Sequence, residues 1–262
     1  MEYGSLPIYN PEILYVIPDI HGENERLSRI LEKITPDLDA NSNAHLVFCG
    51  DYTNHKGPSS PKVLLCLVEL KKRYPGQVFF IKGNHEDMLL KCFNKNFTWF
   101  NFAENTLKQM MLEWDIPHGE LKPMSYIPEI LSACEERGII DFYNGLIPYY
   151  ETVDTICTHA PLDKTSCYMN GLEAYLKNTD KNNSRFLDRI LHEIMWSFTD
   201  EGTQYSNIPI EKLLVCGHQF KHHKEPRLFK RRVFLDTGCG VVSGKPLVAL
   251  RLPGKKILKE SF

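Results

Sequence analysis

The chain has 262 residues, 42% hydrophobic and 24% charged, an ordinary globular composition that allows one large domain or two small ones. A formal charge of −2 excludes a general nucleic-acid-coating surface, and no stretch approaches the ~20 apolar residues of a membrane-spanning helix. Residues 1–10 show neither a basic nor an apolar leader pattern, so a cytoplasmic protein is expected. The eight cysteines lie mostly in or beside apolar runs and form no CxxC pair, which points to buried free thiols rather than disulfides or a zinc knuckle.

The apolar run 13–17 predicts a strand, stopped by Pro18 and followed at once by Asp19-Ile20-His21-Gly22. Leu27, Ile30, Leu31 and Ile34 then recur at helical spacing over 24–34, and residues 35–37 are expected to close that helix. Residues 45–49 predict a second strand ending in Gly50-Asp51, a turn-rich stretch follows, and 62–72 read as an amphipathic helix. A third strand over 78–81 leads into Gly83-Asn84-His85-Glu86. Strand, polar loop and helix in repetition are the rhythm of an α/β fold with helices packed on a sheet. Residues 88–150 differ: they are rich in Asn, Phe, Met and Trp, broken at Pro117 and Pro123, with a helix over 129–137 capped by Gly138. No linker bounds them, so they read as a helical insertion within a single domain spanning 1–262. Beyond it, 153–157 predict a strand ending in Thr158-His159, 185–195 a helix leading to Trp196, and 213–216 a strand ending in Gly217-His218. Two further strands, 232–235 and 246–250, flank a glycine-rich turn over 237–244.

Asp19, His21, Asp51, Asn84, His85, His159 and His218 all fall just past predicted strand ends, where a rigid sheet can hold reactive groups. Any one of these is more often a turn residue, but their joint occurrence is hard to dismiss. Nitrogen and oxygen donors without thiolate suit manganese, iron or zinc rather than calcium. Two carboxylates, an amide and three imidazoles suffice for a two-metal site with one shared Asp. Such ion pairs, ~3.5–4 Å apart, activate a water and clamp phosphoryl oxygens.

In order and spacing, Asp19-Ile20-His21-Gly22, Gly50-Asp51-Tyr52, Gly83-Asn84-His85-Glu86, Thr158-His159 and Gly217-His218 resemble the phosphoprotein-phosphatase family of calcineurin-like metallophosphoesterases. Asp236-Thr237-Gly238-Cys239-Gly240 is similar to its bacterial and phage branch, which includes diadenosine tetraphosphatases. The resemblance runs from about residue 13 to 252. It implies a β-sandwich flanked by helices on both outer faces. It also implies two divalent ions, manganese first, with iron or zinc as alternatives: Asp19 and His21 on the first, Asp51 bridging, and Asn84, His159 and His218 on the second. His85 would be the general acid. The implied activity is hydrolysis of phosphomonoesters by a metal-activated hydroxide, on a phosphorylated protein (Ser/Thr or Tyr) or a small phosphoester, with no nucleic-acid or membrane partner. Diadenosine polyphosphate hydrolysis is the alternative, and a metal-loaded binding protein with little turnover is the alternative of another class.

The second motif departs from the family's usual Gly-Asp-Tyr-Val-Asp-Arg-Gly: here Gly50-Asp51-Tyr52-Thr53-Asn54-His55-Lys56-Gly57 is longer. The acid-orienting Asp falls on Asn54 and the phosphate-gripping Arg on His55 or Lys56, so these three are the expected substrate contacts. An Asn cannot stabilise imidazolium by charge, and a lysine grips phosphate as a point charge without the arginine fork. Trp196-Ser197 is followed by Phe198 where this branch often has an arginine shortly after. Asp87 could supply the missing carboxylate, although a solvated residue at the start of a helix is the simpler reading. The basic residues Lys221, His222, His223, Lys224, Arg227, Lys230, Arg231 and Arg232 read first as a solvated face and second as a phosphate rim.

Overall fold

The computed structural model describes residues 6–53, 57–117, 123–161, 192, 194–197, 212–220 and 225–260. In chain order its elements are β1 (Ile8–Tyr9), β2 (Ile13–Ile17), α1 (Asn24–Ala40), β3 (Ala44–Phe48), α2 (Ser60–Arg73), β4 (Val78–Phe80), α3 (Asn84–Phe93), α4 (Phe100–Glu113), α5 (Ile127–Glu136) and α6 (Ile139–Asn144). They continue with β5 (Tyr149–Thr152), β6 (Thr155–Thr158), β7 (Leu213–Cys216), β8 (Arg227–Leu228), β9 (Arg232–Phe234), β10 (Leu247–Leu252) and β11 (Lys256–Glu260).

The strands form a five-stranded sheet, β11-β10-β2-β3-β4, and a six-stranded sheet, β1-β5-β6-β7-β9-β8. Within the first, β2, β3 and β4 are parallel; within the second, β6, β7 and β9 are parallel. Side chains alternate between faces along each strand. Leu14, Val16 and Val47 therefore meet Val215, Val233 and Tyr150 in an apolar layer between the sheets. Tyr15, Ile17, Leu46 and Phe48 point the other way, into a larger core shared with α1–α6. Burying each such aliphatic side chain contributes about 1.5–3 kcal/mol. This is the mixed α/β sandwich expected, and the described helices cover the outer face of the five-stranded sheet. The predicted helix over 185–195 lies mostly outside the described residues.

Helix α1 differs from its expected end. It runs through Pro36 to Ala40, because Leu38 extends the buried stripe of Leu27, Ile30, Leu31 and Ile34 by one more turn. Pro36 sits on the exposed side, where water can satisfy the carbonyl that loses its donor. The strand expected over 153–157 is present as β6 but begins two residues later, residues 153–154 forming a tight turn from β5. Thr152 Oγ1 accepts from the Thr155 nitrogen at 2.9 Å, Val153 is exposed, and β5 precedes the turn.

Seven cysteines among the described residues are free thiols, six of them buried and Cys66 half-buried. No helix among the described residues is long and apolar enough to cross a membrane.

Candidate metal centre

The ends of the parallel strands from both sheets meet at one edge of the sandwich. The loop after β2 is sewn to the loop after β3: the Ile20 and His21 nitrogens donate to the Asp51 carbonyl at 3.1 and 2.9 Å, and Gly22 donates to Tyr52 at 3.0 Å. Across the sandwich, the His159 ring approaches the Cys49 carbonyl at 2.7 Å through Nδ1. A Cβ on Gly50 would lie 2.6 Å from the Gly83 nitrogen and 3.0 Å from His159 Nδ1, so only glycine lets these three loops converge. The backbone is left-handed at His21 (φ 48°), Asp51 (φ 54°) and His218 (φ 62°), a conformation that costs energy in any non-glycine residue.

These loops bring together all six residues expected to hold metal, and all six are buried. His21 Nε2 lies 3.6 Å from Asp19 Oδ2 and 3.7 Å from Asp51 Oδ2. His159 Nε2 lies 3.4 Å from Asp51 Oδ1, 3.0 Å from His218 Nδ1 and 2.9 Å from the Asn84 amide. With its nitrogen turned inward, Asn84 donates to both Asp51 oxygens at 3.2 and 3.1 Å; with its oxygen inward it offers the acceptor a cation needs. His21 Nδ1 faces the Thr53 carbonyl at 3.2 Å, and His159 Nδ1 faces Cys49. A ring whose Nδ1–H donates to a carbonyl keeps its Nε2 lone pair for a metal.

The electrostatics suit the same purpose. Burial, together with Asp236 and Asp51, pushes the Asp19 carboxyl well above the usual carboxylate range; burial and Glu86 do the same to Asp51. Burial and the neighbouring His218 hold the His159 ring well below its ordinary value, and burial and His21 lower His218 to about 4. Neutral imidazoles beside crowded carboxylates are a donor set that divalent cations would relieve. Ligand atoms within 4.8 Å of one another fall into two groups, His21 with Asp51 and His85, and Asp51 with His159 and His218. Asp51 is common to both, as a bridging residue must be. The donors are nitrogen and oxygen alone, so the residues present fit two borderline divalent ions.

His85 opens α3 at the rim. Its backbone nitrogen donates to Asp51 Oδ1 at 3.0 Å, and its ring meets His21 edge-on at 4.9 Å. Its Nε2 lies 3.8 Å from Asp51 Oδ2, so it is also placed to be a ligand. Asp87 turns away from it. Its carboxylate pairs with Lys82 at 2.8 Å and Lys91 at 2.7 Å; burial raises its pKa, but the two lysines outweigh this and hold it below the usual carboxylate range. Lys82 is thereby committed as well.

Asn54, His55 and Lys56 lie outside the described residues, as do Phe198 and residues 221–224. The remaining basic residues do not form one rim. Arg227 lies 4.5 Å over the Phe234 ring and donates to the Gln219 carbonyl at 3.1 Å. Lys230 and Arg231 line a pocket of about 450 Å³ with Asn10, Leu14, Thr155 and Leu213. That pocket lies where β2, β6 and β7 begin, at the opposite end of the sandwich.

Two buried carboxylates had no role in the sequence reading. Glu86 accepts from the backbone nitrogens of Asp51 (2.8 Å), Tyr52 (2.9 Å) and Gly83 (3.0 Å), tying the Asp51 loop to the start of α3. Its position three residues after Gly83 is capping-box spacing, a signal that could have found it. Asp236 follows β9 as the other acids follow β2 and β3, and the strand-end rule applied once more would have included it.

Residues 14–244 match the calcineurin-like phosphoesterase family, and the chain belongs to it: it is a hydrolase acting on phosphoric ester bonds. It is 24% identical over 248 residues to the asymmetrical bis(5'-nucleosyl)-tetraphosphatase PrpE of Bacillus velezensis, covering 91% of this chain and 88% of that protein. It is 29% identical over 141 residues to the PP2A-like serine/threonine-protein phosphatase PPG1 of Candida albicans, covering 54% of this chain and 31% of that protein. The fold superposes on a cold-active protein tyrosine phosphatase with a TM-score of 0.63 at 15% identity, over 98% of this chain and 80% of that one.

Proposed function

We propose that this chain is a metal-dependent phosphatase that hydrolyses phosphomonoesters, first of all on phosphorylated protein. Asp19, His21 and Asp51 would hold one divalent ion, and Asp51, Asn84, His159 and His218 a second. The observation that carries this reading is the convergence of five buried N/O donors from both sheets around a sixth, Asp51. Two bound ions, manganese first, would supply an activated water and neutralise phosphoryl charge. His85 would protonate the departing oxygen. Its side chain is 14% exposed, more than the buried donors behind it, so it borders the open side from which a leaving group departs.

A second reading is hydrolysis of dinucleoside polyphosphates. It is favoured by the match to a tetraphosphatase over nearly the whole length of both proteins.

The test is release from p-nitrophenyl phosphate, phosphopeptides and diadenosine tetraphosphate with added manganese. Asp51→Asn should abolish release. His85→Asn should lower kcat by about 10²–10⁴ on phosphoserine and phosphothreonine peptides, whose alkoxide leaves poorly, and far less on p-nitrophenyl phosphate. No metal-dependent release from any substrate would sink the enzyme reading. Cleavage of the dinucleotide alone would establish the second reading over the first.

A further inference from the structure

Asp236 is a buried carboxylate that the proposed chemistry does not use. One oxygen, Oδ1, accepts from the Gly238 nitrogen at 2.8 Å. The other, Oδ2, is buried with no hydrogen-bond partner. A buried anionic oxygen without a donor is costly, so its retention calls for a positive charge nearby. Burial raises the pKa of this carboxyl, opposed by the Gly238 nitrogen and, through space, by Arg227, whose guanidinium lies over the Phe234 ring and donates to the Gln219 carbonyl.

The backbone places Asp236 among the proposed ligands. β9 pairs in parallel with β7, Phe234 opposite Cys216, and the Leu235 nitrogen donates to the Cys216 carbonyl at 2.8 Å. Asp236 therefore stands beside Gly217-His218, whose His218 nitrogen donates to Asp19 Oδ1 at 2.9 Å. The loop then runs against His21: a Cβ on Gly240 would lie 2.6 Å from His21 Cβ. Asp236 is thus enclosed on the side of Asp19 and His21.

We propose that Asp236 is a positioning carboxylate of the metal centre, whose unpartnered Oδ2 adds negative charge beside Asp19 and His21 and tightens the ion those two hold. This rests on reading Asp19 and His21 as ligands.

Metal titration of the metal-free protein tests it, with cobalt followed by its visible absorption and manganese by calorimetry. The wild type should bind two ions. In Asp236→Asn one of them should bind about 10–100-fold more weakly, the range for a residue that supports a ligand, while the other is unchanged. The metal-free melting temperature should not fall, since one of several crowded carboxylates has been neutralised. Two ions bound with wild-type affinity would overturn the proposal and leave the metal centre standing. Equal weakening of both ions together with a lower metal-free melting temperature, in Asp236→Asn and also in Asp236→Ser, would mean a merely structural role and overturn it too. A wild type that binds no ion would instead refute the ligand reading beneath it.

Discussion

Glu86 shows how one carboxylate can govern a site without touching a substrate. Burial raises its pKa, opposed by the backbone N–H groups of Asp51, Tyr52 and Gly83 that it accepts from. Glu86→Gln puts an NH₂ where those N–H groups point, leaving buried donors unpaired. The expected cost is about 2–3 kcal/mol of stability, read by urea denaturation. Displacement of Asp51 should also weaken metal binding; a variant with wild-type stability would show that the carboxylate is dispensable. A second titratable group lies far from the centre. His45 is buried among Tyr9, Phe79 and Tyr150, its Nδ1 2.5 Å from the Tyr150 hydroxyl, and burial lowers its pKa. Below the ordinary imidazole value the unfolded chain takes a proton that the folded chain refuses, so stability is lost as pH falls through that value. Because the raised carboxyls of the centre titrate with the opposite sign, the His45 contribution is read as a difference: the urea midpoint of His45→Phe should gain on that of the wild type between pH 7 and 5, about the range in which a free imidazole titrates. The seven strand-end residues were legible because each follows an apolar run. Glu86 and Asp236 carry such signals too, capping-box spacing after Gly83 and a place just past β9, but the contacts through which they act are with backbone groups and neighbouring charge, which only the folded chain displays.

At the scale of elements, α4 braces the segment that follows the second motif. Gln109 bonds the Gly57 carbonyl and the Ser60 nitrogen, and both carboxylate oxygens of Glu113 lie 2.8 Å from Ser59 Oγ. Ser59 in turn donates its backbone nitrogen to Gly22 at 3.1 Å, next to His21. A helix from the middle of the chain therefore steadies Gly57, Ser59 and Ser60, which directly follow the expected substrate contacts Asn54, His55 and Lys56 in sequence. Gln109→Ala should cost about 1 kcal/mol in stability, the worth of a typical hydrogen bond, and raise KM several-fold with a smaller change in kcat. An unchanged KM would separate α4 from the substrate side. The helices were legible from apolar spacing, as α2 and α5 show. β1 and β8 were not, since two residues carry no periodicity. β5 was hidden because Thr152 and Asp154 build a polar turn inside what reads as one strand approach. α1 outlasted Pro36 because Leu38 had a core to enter.

For the whole molecule, the centre joins two sheets whose parallel strands end at a common edge, so metal should stabilise the fold as a whole. At free metal about 100-fold above Kd the linkage contribution is about 2.7 kcal/mol. Chelation by EDTA should lower the melting temperature, and Asp51→Asn should melt at one temperature with or without manganese. A wild type whose melting ignores metal would refute the centre.

The left-handed backbone at His21, Asp51 and His218 carries a last consequence. Those conformations are held by bonds within the chain, His21 nitrogen to the Asp51 carbonyl, Asp51 nitrogen to Glu86 and His218 nitrogen to Asp19, so the folding of the chain itself enforces them. A zinc-finger-like domain unravels when emptied; this one should stay folded and ready to refill. Metal supply would then act as a reversible throttle, with activity following the free ion up and down without loss of protein.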